Sequence, residues 1–326
     1  MLILLLQPCD KLRCGVPCRT GGQMRYRYEL AGTDIRVEVP FELHIQQESL
    51  EFVEKWENEE ECRADIFLKL KESEYLPLPM EASGYRTGGQ YFEKDEEGER
   101  IFYSIAPHDK PYACVCWNRE RTVGECLYLK GKEDCLNYSR NIWDMLNMES
   151  LMLCRGGLLL HSSFIRFEGK AVLFSAPCGT GKSTQADLWK KYENADIING
   201  DRAGLRYMEG EWRAYGLPYA GSSGIYRNEN ASLAGIIVLK QAKENSLRKM
   251  EPVEAFPELY REITVHRWDQ EFVLKSTELL MKLLEEVPVY LLECRPDYGA
   301  VKLVRDKMFG CAAERNRNNM EEKEEL

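Results

Sequence analysis

Residues 157–189, "GLLLHSSFIRFEGKAVLFSAPCGTGKSTQADLW", decide the fold class of this chain. Two apolar runs lie on either side of the short turn "EGK", and this pattern predicts an antiparallel β-hairpin. The second run leads into a loop of small residues, after which apolar residues recur at helical spacing. A strand, a glycine-rich loop and a helix in this order predict an α/β domain with a mixed sheet.

The loop at residues 176–183, "APCGTGKS", fits the Walker A pattern with alanine in its first position. Its glycines allow the backbone to curl so that successive N–H groups face one anion, and the following helix adds the partial positive charge of its N-terminus. Lys182 supplies a full charge for the β and γ phosphates, and the Ser183 hydroxyl is a ligand for Mg²⁺. The alternative is an ordinary turn before a helix cap. We predict that ATP and Mg²⁺ are bound by Ala176, Pro177, Cys178, Gly179, Thr180, Gly181, Lys182, Ser183 and Thr184.

Magnesium needs a further oxygen ligand, which in phosphate-loop proteins usually lies at the end of a neighbouring strand. Asp201 follows the short apolar stretch "DIING" and is the candidate at a suitable distance downstream. We expect Asp201 to bind Mg²⁺ together with Ser183. The competing interpretation is a turn aspartate, because Asn-Gly is itself a hairpin signal.

The stretch "LLLHSSFIRFEGKAVLFSAPCGTGKST", together with "IINGDRAGL", resembles the catalytic domain of HPr kinase/phosphorylase, whose nucleotide-binding core is similar to that of phosphoenolpyruvate carboxykinase. In that family a histidine lies on the strand before the hairpin turn, and His161 keeps the family's spacing of fifteen residues from Ala176. The resemblance covers residues 157–305 and implies a P-loop core of this type with a mixed sheet. It also implies that His161 lies near the phosphates. Without the resemblance, the expected role of His161 is that of a histidine on a strand, hydrogen-bonded to the backbone.

The chain departs from this family at three places. Gly200 and Asp201 stand where the family has an acidic pair, so Asp201 alone would have to serve as magnesium ligand and as base. The first loop glycine is alanine, and the residues before 150 do not resemble the N-terminal domain of HPr kinases. HPr as substrate and the phosphorylase reaction are therefore not carried over.

The predicted function is an ATP- and Mg²⁺-dependent kinase that transfers the γ phosphoryl group to a serine or threonine hydroxyl of a small protein or peptide. Asp201, with His161, would orient or deprotonate the acceptor, and Lys182 would hold the phosphates. Two alternatives stay open: an ATP-binding module of a peptide-modification or regulatory system with little catalysis, and a small-molecule phosphotransferase or carboxykinase-like enzyme. A further cation for the transition state is expected from Arg202, Arg227, Arg248 or Arg295, among which the sequence does not choose.

Other polar residues are weaker candidates. The small residues of "GLPYAGSSG", residues 216–224, allow close approach of a substrate, and Ser222 and Ser223 offer hydroxyls there. A plain surface loop is the alternative. Gln241 and Asn245 end a predicted strand and could contact the base or the substrate.

The rest of the chain predicts the order of its domains. Four further helices are predicted: one around Leu50, Val53 and Trp56, one over residues 138–156, one capped by Ser276, and a closing helix over residues 298–309. The expected segments are a tail or mis-called start at 1–23, a β-rich N-terminal domain at 24–150, the nucleotide-binding domain at 151–310 and a disordered charged tail at 311–326.

The chain has 326 residues, a net charge of −10 and 12 cysteines. This acidic balance argues against nucleic acid or an anionic membrane surface as the main partner. No apolar stretch approaches the roughly 20 residues of a membrane helix. No CxxC pair and no zinc spacing occur, so we expect reduced and mostly buried thiols. We expect a cytoplasmic protein with a protein or peptide acceptor. Assembly into homo-oligomers is possible, and the sequence does not decide it.

Overall fold

The computed structural model describes residues 23–55, 64–80, 84–106, 109–219 and 221–310. Within these ranges the chain forms two mixed β-sheets and six α-helices, so the predicted α/β class is confirmed. The two predicted tails lie outside the described residues except for Gln23, and so does Trp56. The domain boundary near residue 150 stays a prediction.

The first sheet has nine strands, and apolar and polar residues alternate along several of them. Across the sheet the order is β3-β1-β2-β4-β9-β8-β7-β6-β5, with parallel pairs β2–β4 and β4–β9 and antiparallel pairs elsewhere. β5 therefore lies at one end of this sheet. The strands are β1 (Met24–Leu30), β2 (Thr33–Val39), β3 (Val53–Lys55), β4 (Ile66–Ser73), β5 (Tyr85–Thr87), β6 (Gln90–Lys94), β7 (Gly98–Tyr103), β8 (Ala113–Asn118) and β9 (Val123–Leu129).

The helix predicted around Leu50 is wrong. Leu50 lies in a turn with an exposed side chain, and Val53 begins strand β3, where it pairs with Tyr28. The turn and the strand after it bury Phe52 and Val53 against the sheet. A turn followed by an edge strand therefore produces the same three-residue spacing of apolar residues as a helix does.

Two helices follow the first sheet in place of the single helix predicted over residues 138–156. They are α1 (Ser139–Leu146) and α2 (Met148–Cys154), and both bury apolar residues in the core of the first sheet. Asn147 separates them because its backbone adopts a left-handed φ of 48°. Its side chain also caps α2 by accepting from the Ser150 N–H at 3.1 Å.

The second sheet contains the stretch that decides the fold class. β10 and β11 form the predicted antiparallel hairpin. β11 also pairs in parallel with β15, so β11, β10, β13, β14 and β15 pair in a closed circuit, and β17 and β16 continue from β15. The strands are β10 (Gly157–Phe167), β11 (Lys170–Ser175), β12 (Asp196–Asn199), β13 (Arg202–Met208), β14 (Glu211–Tyr215), β15 (Asn230–Gln241), β16 (Ser246–Lys249) and β17 (Val289–Cys294).

Four helices are associated with the second sheet: α3 (Lys182–Glu193), α4 (Pro252–Glu262), α5 (Gln270–Glu286) and α6 (Tyr298–Phe309). The sequence predicts α3 and α6 but not α4. The predicted cap at Ser276 is wrong, because α5 begins earlier, with Asp269 as its N-cap. Ser276 is buried within α5 and donates its hydroxyl to the Phe272 carbonyl at 2.7 Å.

The two sheets share a core. Tyr215 and Leu217, which follow β13 in the chain, belong to the same buried cluster as the strands of the first sheet. Arg206 of β13 is buried and donates a hydrogen bond to the carbonyl of Ala31, between β1 and β2. Apolar packing and a buried hydrogen bond therefore both fix the first sheet beside the hairpin.

Candidate active site

Strand register brings the predicted site residues to one edge of the second sheet. On β10, His161 pairs with Arg202 at the start of β13, and the next residue of β10 pairs with Ser175 at the end of β11. The loop at 176–183 follows Ser175 directly. β12 pairs antiparallel with β10, as β11 does, so both strands end at the same edge. Asp201, just after β12, therefore lies beside this loop.

The loop curls around the lysine side chain. Gly179 and Gly181 have φ values of 79° and 118°, which residues with side chains rarely adopt. Lys182 is the first residue of α3, and its ammonium group donates to the carbonyls of Ala176 at 2.6 Å and Pro177 at 3.3 Å. This backbone and this lysine position are compatible with the Walker A interpretation.

The outer face of the loop is open to solvent, while its root is anchored. Ala176 is buried, and Gln241 at the end of β15 donates to the Thr180 carbonyl at 3.3 Å. Of the weaker sequence candidates, Gln241 therefore does contact the loop. The exposed members of the predicted site are Pro177, Cys178, Gly179, Ser183 and Thr184.

Lys182 carries its charge in a buried, acidic setting. Burial lowers the pKa of Lys182, and the carboxylates of Glu262 and Asp201 oppose that shift. Two carboxylates, on α4 and after β12, thus lie close enough to act on the ammonium group. A phosphate bound next to Lys182 would raise its pKa again, because an opposite charge favours the charged form.

His161 lies between two carboxylates. Its Nδ1 atom is 2.9 Å from Oε2 of Glu262, and its Nε2 atom is 3.8 Å from Oδ1 of Asp201. An ionised carboxylate only accepts hydrogen bonds, so an ionised Glu262 fixes the ring with the hydrogen on Nδ1. The sequence missed Glu262 because it lies on α4, 101 residues away from His161. No local motif marks it.

The turn before Asp201 is shaped by a fully buried asparagine. The side-chain oxygen of Asn199 accepts from the N–H groups of Asp201 at 2.8 Å and Arg202 at 2.9 Å. Its amide group donates to the carbonyls of Leu217 at 2.8 Å and Tyr219 at 2.9 Å. The "NGD" signal therefore does mark a turn, and this turn holds Asp201 at the site.

The carboxylate of Asp201 keeps its lone pairs available. Its side chain is 31% exposed, and its ion-pair distances are long, 3.8 Å to His161 and 3.6 Å to Arg202. Gly221 packs against it so closely that an added Cβ would lie 2.7 Å from the Asp201 Cβ. The small residues predicted to allow close approach in this loop thus admit the Asp201 side chain.

Arg202 is the arginine that the structure places at the site. It lies 3.6 Å from Asp201 and donates to the Thr264 hydroxyl at 3.0 Å. The other three candidates are engaged away from Asp201: Arg227 with Asp196 and Glu229, Arg248 with Glu254, and Arg295 with Asp297.

Position 200 has no room for a second carboxylate in this structure. A Cβ built on Gly200 would lie 2.0 Å from Oγ and 2.5 Å from Cβ of Ser223. Ser223, one of the two hydroxyls offered by sequence, therefore fills the space beside Gly200. Asn245, the other remaining candidate, bonds to Asp297 at 2.7 Å.

His161, Asp201, Arg202 and Glu262 line a cavity of about 220 Å³. Among the described residues no group of three or more histidine, cysteine, aspartate or glutamate side chains is arranged to hold a metal. Mg²⁺ in nucleotide sites takes one or two protein oxygens, with the rest from phosphates and water. The available carboxylate of Asp201 and the exposed hydroxyl of Ser183 are donors of this kind, so these residues fit the ion.

Two further expectations concern the thiols and the membrane. Of the seven cysteines among the described residues, Cys114 and Cys126 are buried, three are partly buried, and Cys154 and Cys178 are exposed, so the expectation of mostly buried thiols is wrong. No helix within the described ranges is long and apolar enough to cross a membrane.

Comparison with known proteins gives a weak and partial likeness. A solved structure of the Hpr(Ser) kinase/phosphatase from Coxiella burnetii is 12% identical to this chain, and the match covers 51% of this chain and 94% of that one with a TM-score of 0.28. No family model and no curated protein matches the chain. The mixed α/β character is confirmed by the sheets themselves. The phosphoenolpyruvate carboxykinase-like core stays a prediction.

Proposed function

We propose that this protein is an ATP- and Mg²⁺-dependent phosphotransferase that moves the γ phosphoryl group to a serine or threonine hydroxyl of a small protein or peptide. One observation carries it: the loop that contains Lys182 begins at the sheet edge where His161 lies between the carboxylates of Asp201 and Glu262. A buried cation opposite acidic groups is what phosphate binding and proton removal together need.

Each residue has a separate task. Lys182 and the loop amides bind the β and γ phosphates, and Arg202 adds positive charge where it develops on the transferred group. Asp201 and Ser183 would hold Mg²⁺, which would neutralise negative charge on the nucleotide phosphates. Glu262 holds the imidazole of His161 with its Nε2 atom toward Asp201 and the cavity.

The transfer itself is an in-line displacement. The acceptor oxygen forms a bond to the γ phosphorus while the bond from that phosphorus to the β–γ bridging oxygen breaks, and ADP leaves with the electron pair. The acceptor proton passes to the Asp201 carboxylate or to the Nε2 atom of His161. An acceptor hydroxyl in the 220 Å³ cavity would lie beside both groups.

Transfer of labelled phosphate tests this function. Purified protein is incubated with γ-labelled ATP, Mg²⁺ and serine-containing peptides, and both peptide labelling and released phosphate are measured. We expect label transfer or hydrolysis that Lys182→Ala abolishes and that Lys190→Ala, an exposed lysine on the same helix, retains. Absence of both reactions in the wild type, with Lys182→Ala identical to it, contradicts a phosphotransferase.

A second function is favoured by Gly200. Because position 200 has no carboxylate, the protein could act as an ATP-binding module of a peptide-modification or regulatory system with little turnover. That function predicts tight ATP binding, negligible hydrolysis, and partner binding that survives Asp201→Asn. Measurable turnover lost in Asp201→Asn favours the phosphotransferase instead.

A further inference from the structure

An aromatic groove lies next to the cavity that contains Asp201. It has a volume of about 290 Å³ and is lined by Tyr85 of β5, by Phe92 of β6, and by His266, Arg267 and Trp268, which lie between α4 and α5. We call it the aromatic groove. Consecutive residues line the two cavities: 261–264 line the one at Asp201, and 265–268 line the groove.

The segment between the two cavities is fixed at both ends. The Thr264 N–H donates to the Leu159 carbonyl of β10 at 3.0 Å, close to His161. At the other end Lys94 of β6 donates to Asp269 at 2.8 Å. The segment that lines both the groove and the candidate active site is therefore bonded to both sheets.

The walls of the groove suit a flat side chain. The rings of Tyr85 and Trp268 are stacked on each other, with centroids 5.7 Å apart and 9° between their planes, so a ligand ring would lie against the exposed side of this pair and not between the two rings. Phe92 lies 5.7 Å from Trp268 as well. Tyr85 is 43% exposed, so its ring borders the groove while remaining open to solvent. Aromatic rings gain from offset or edge contacts with one another beyond the area they bury.

Charge and backbone add to this picture. Arg261 and Arg267 are exposed, and within the described residues Arg267 has no acidic partner. All three residues of β5 are exposed, and no described strand pairs with its outer edge. An extended chain can bind such an edge through main-chain hydrogen bonds. Glu149 also lines the groove but is paired with His266 at 3.2 Å, so the charge left for a ligand is that of Arg267, which fits a peptide with an acidic residue.

We propose that the aromatic groove is the docking subsite of a peptide acceptor, taking an aromatic side chain a few residues from the hydroxyl that lies at Asp201. This rests on the proposed function. The seven residues from Glu262 to Trp268 are six steps along the chain and span at most about 20 Å when extended, so the aromatic side chain lies within about six residues of the acceptor hydroxyl. The groove takes the ring, and Arg267 takes a nearby carboxylate.

The test uses a positional-scanning peptide library with a fixed central serine. Binding to the immobilised full chain is measured with a non-hydrolysable ATP analogue and Mg²⁺, and labelling is measured in parallel with γ-labelled ATP. We expect about tenfold enrichment of tryptophan, tyrosine or phenylalanine at one position within six residues of the serine. Trp268→Ala and Tyr85→Ala should each remove this preference, and Arg267→Glu should remove any preference for acidic residues.

Tyr75→Ala is the matched control, because Tyr75 is 79% exposed and lies outside the groove. Unchanged ATP affinity in every variant shows that the chain is folded. Four outcomes would each overturn the groove assignment. They are no peptide binding, peptide binding without aromatic preference, an aromatic preference that persists in Tyr85→Ala and Trp268→Ala, and self-association of the chain that is lost in Trp268→Ala. Labelling without preference overturns the groove and leaves the phosphotransferase standing. Selective binding without labelling leaves the groove standing and contradicts the phosphotransferase.

Discussion

His161 and Glu262 form a hydrogen bond of 2.9 Å that joins strand β10 to the last residue of helix α4. The same ring faces Asp201 with its other nitrogen. Glu262 therefore determines which imidazole nitrogen of His161 is directed toward the cavity, although it is far from both His161 and Asp201 in the sequence.

Replacing Glu262 should separate turnover from nucleotide binding. In Glu262→Gln we expect phosphate transfer to fall about 10- to 100-fold, because an amide stabilises the protonated His161 ring less well than a carboxylate does. ATP affinity should stay equal or rise, because a negative charge facing Lys182 is removed. Single-turnover rates and titration of ATP measure the two effects, and Glu258→Gln on the same helix serves as the control. Equal losses of rate and affinity would contradict this role.

Restoring the aspartate that the resemblance leads one to expect should destabilise the protein. In Gly200→Asp the new side chain meets Ser223, and overpacking of this kind costs about 1–3 kcal/mol. The double variant Gly200→Asp with Ser223→Gly should recover part of that loss, since the atoms in the way are gone. Denaturant unfolding of the two single variants and the double variant measures the coupling. Additive effects would show that Ser223 does not limit this position.

The sequence predicted the parts of the site that depend on local patterns. The hairpin, the loop at 176–183 and α3 follow one another along the chain, and their apolar runs, glycines and helical spacing are all local. Asp201 was predicted for the same reason, because it lies one strand downstream. Their meeting at one sheet edge follows from the register of β10 with its neighbours.

The parts that failed depend on tertiary contacts or on backbone conformation. Glu262 is brought to His161 by the packing of α4, a helix with Pro257 in its interior that the apolar spacing does not predict. The left-handed conformation of Asn147 divides one predicted helix into two. Ser276 resembles a helix cap in the sequence, but in the structure it is buried within α5 and its hydroxyl donates a hydrogen bond to a carbonyl of the same helix.

Acid should weaken the ion pairs that Glu271, in the first turn of α5, makes with Lys275 and Lys94. Hydrogen bonds from Lys275 and then Lys94 lower the pKa of Glu271 to about 2 from an ordinary 4.5. The depressed value means that this ion pair stabilises the fold above pH 4.5 and is lost as the pH falls toward 2. Because Glu271 is nearly half exposed, Lys275→Met should cost only about 0.5 kcal/mol at pH 7.

Unfolding free energies of the wild type and Lys275→Met, measured at several pH values from 7 to 2.5, test this expectation. The difference between the two should shrink as the pH falls. Lys249→Met, at an exposed lysine of β16, is the control and should show no such trend. A difference that is constant with pH would mean that Lys275 acts through something other than the Glu271 carboxylate.

Calorimetric titration with ATP and Mg²⁺ tests the central claim most directly, because every proposed step begins with a triphosphate held by the loop at 176–183. Wild type and Lys190→Ala should bind with equal affinity, and Lys182→Ala should bind about 10- to 100-fold more weakly, as expected when a charged hydrogen-bond donor is removed. No heat of binding in the wild type, or equal affinity in Lys182→Ala, would contradict it.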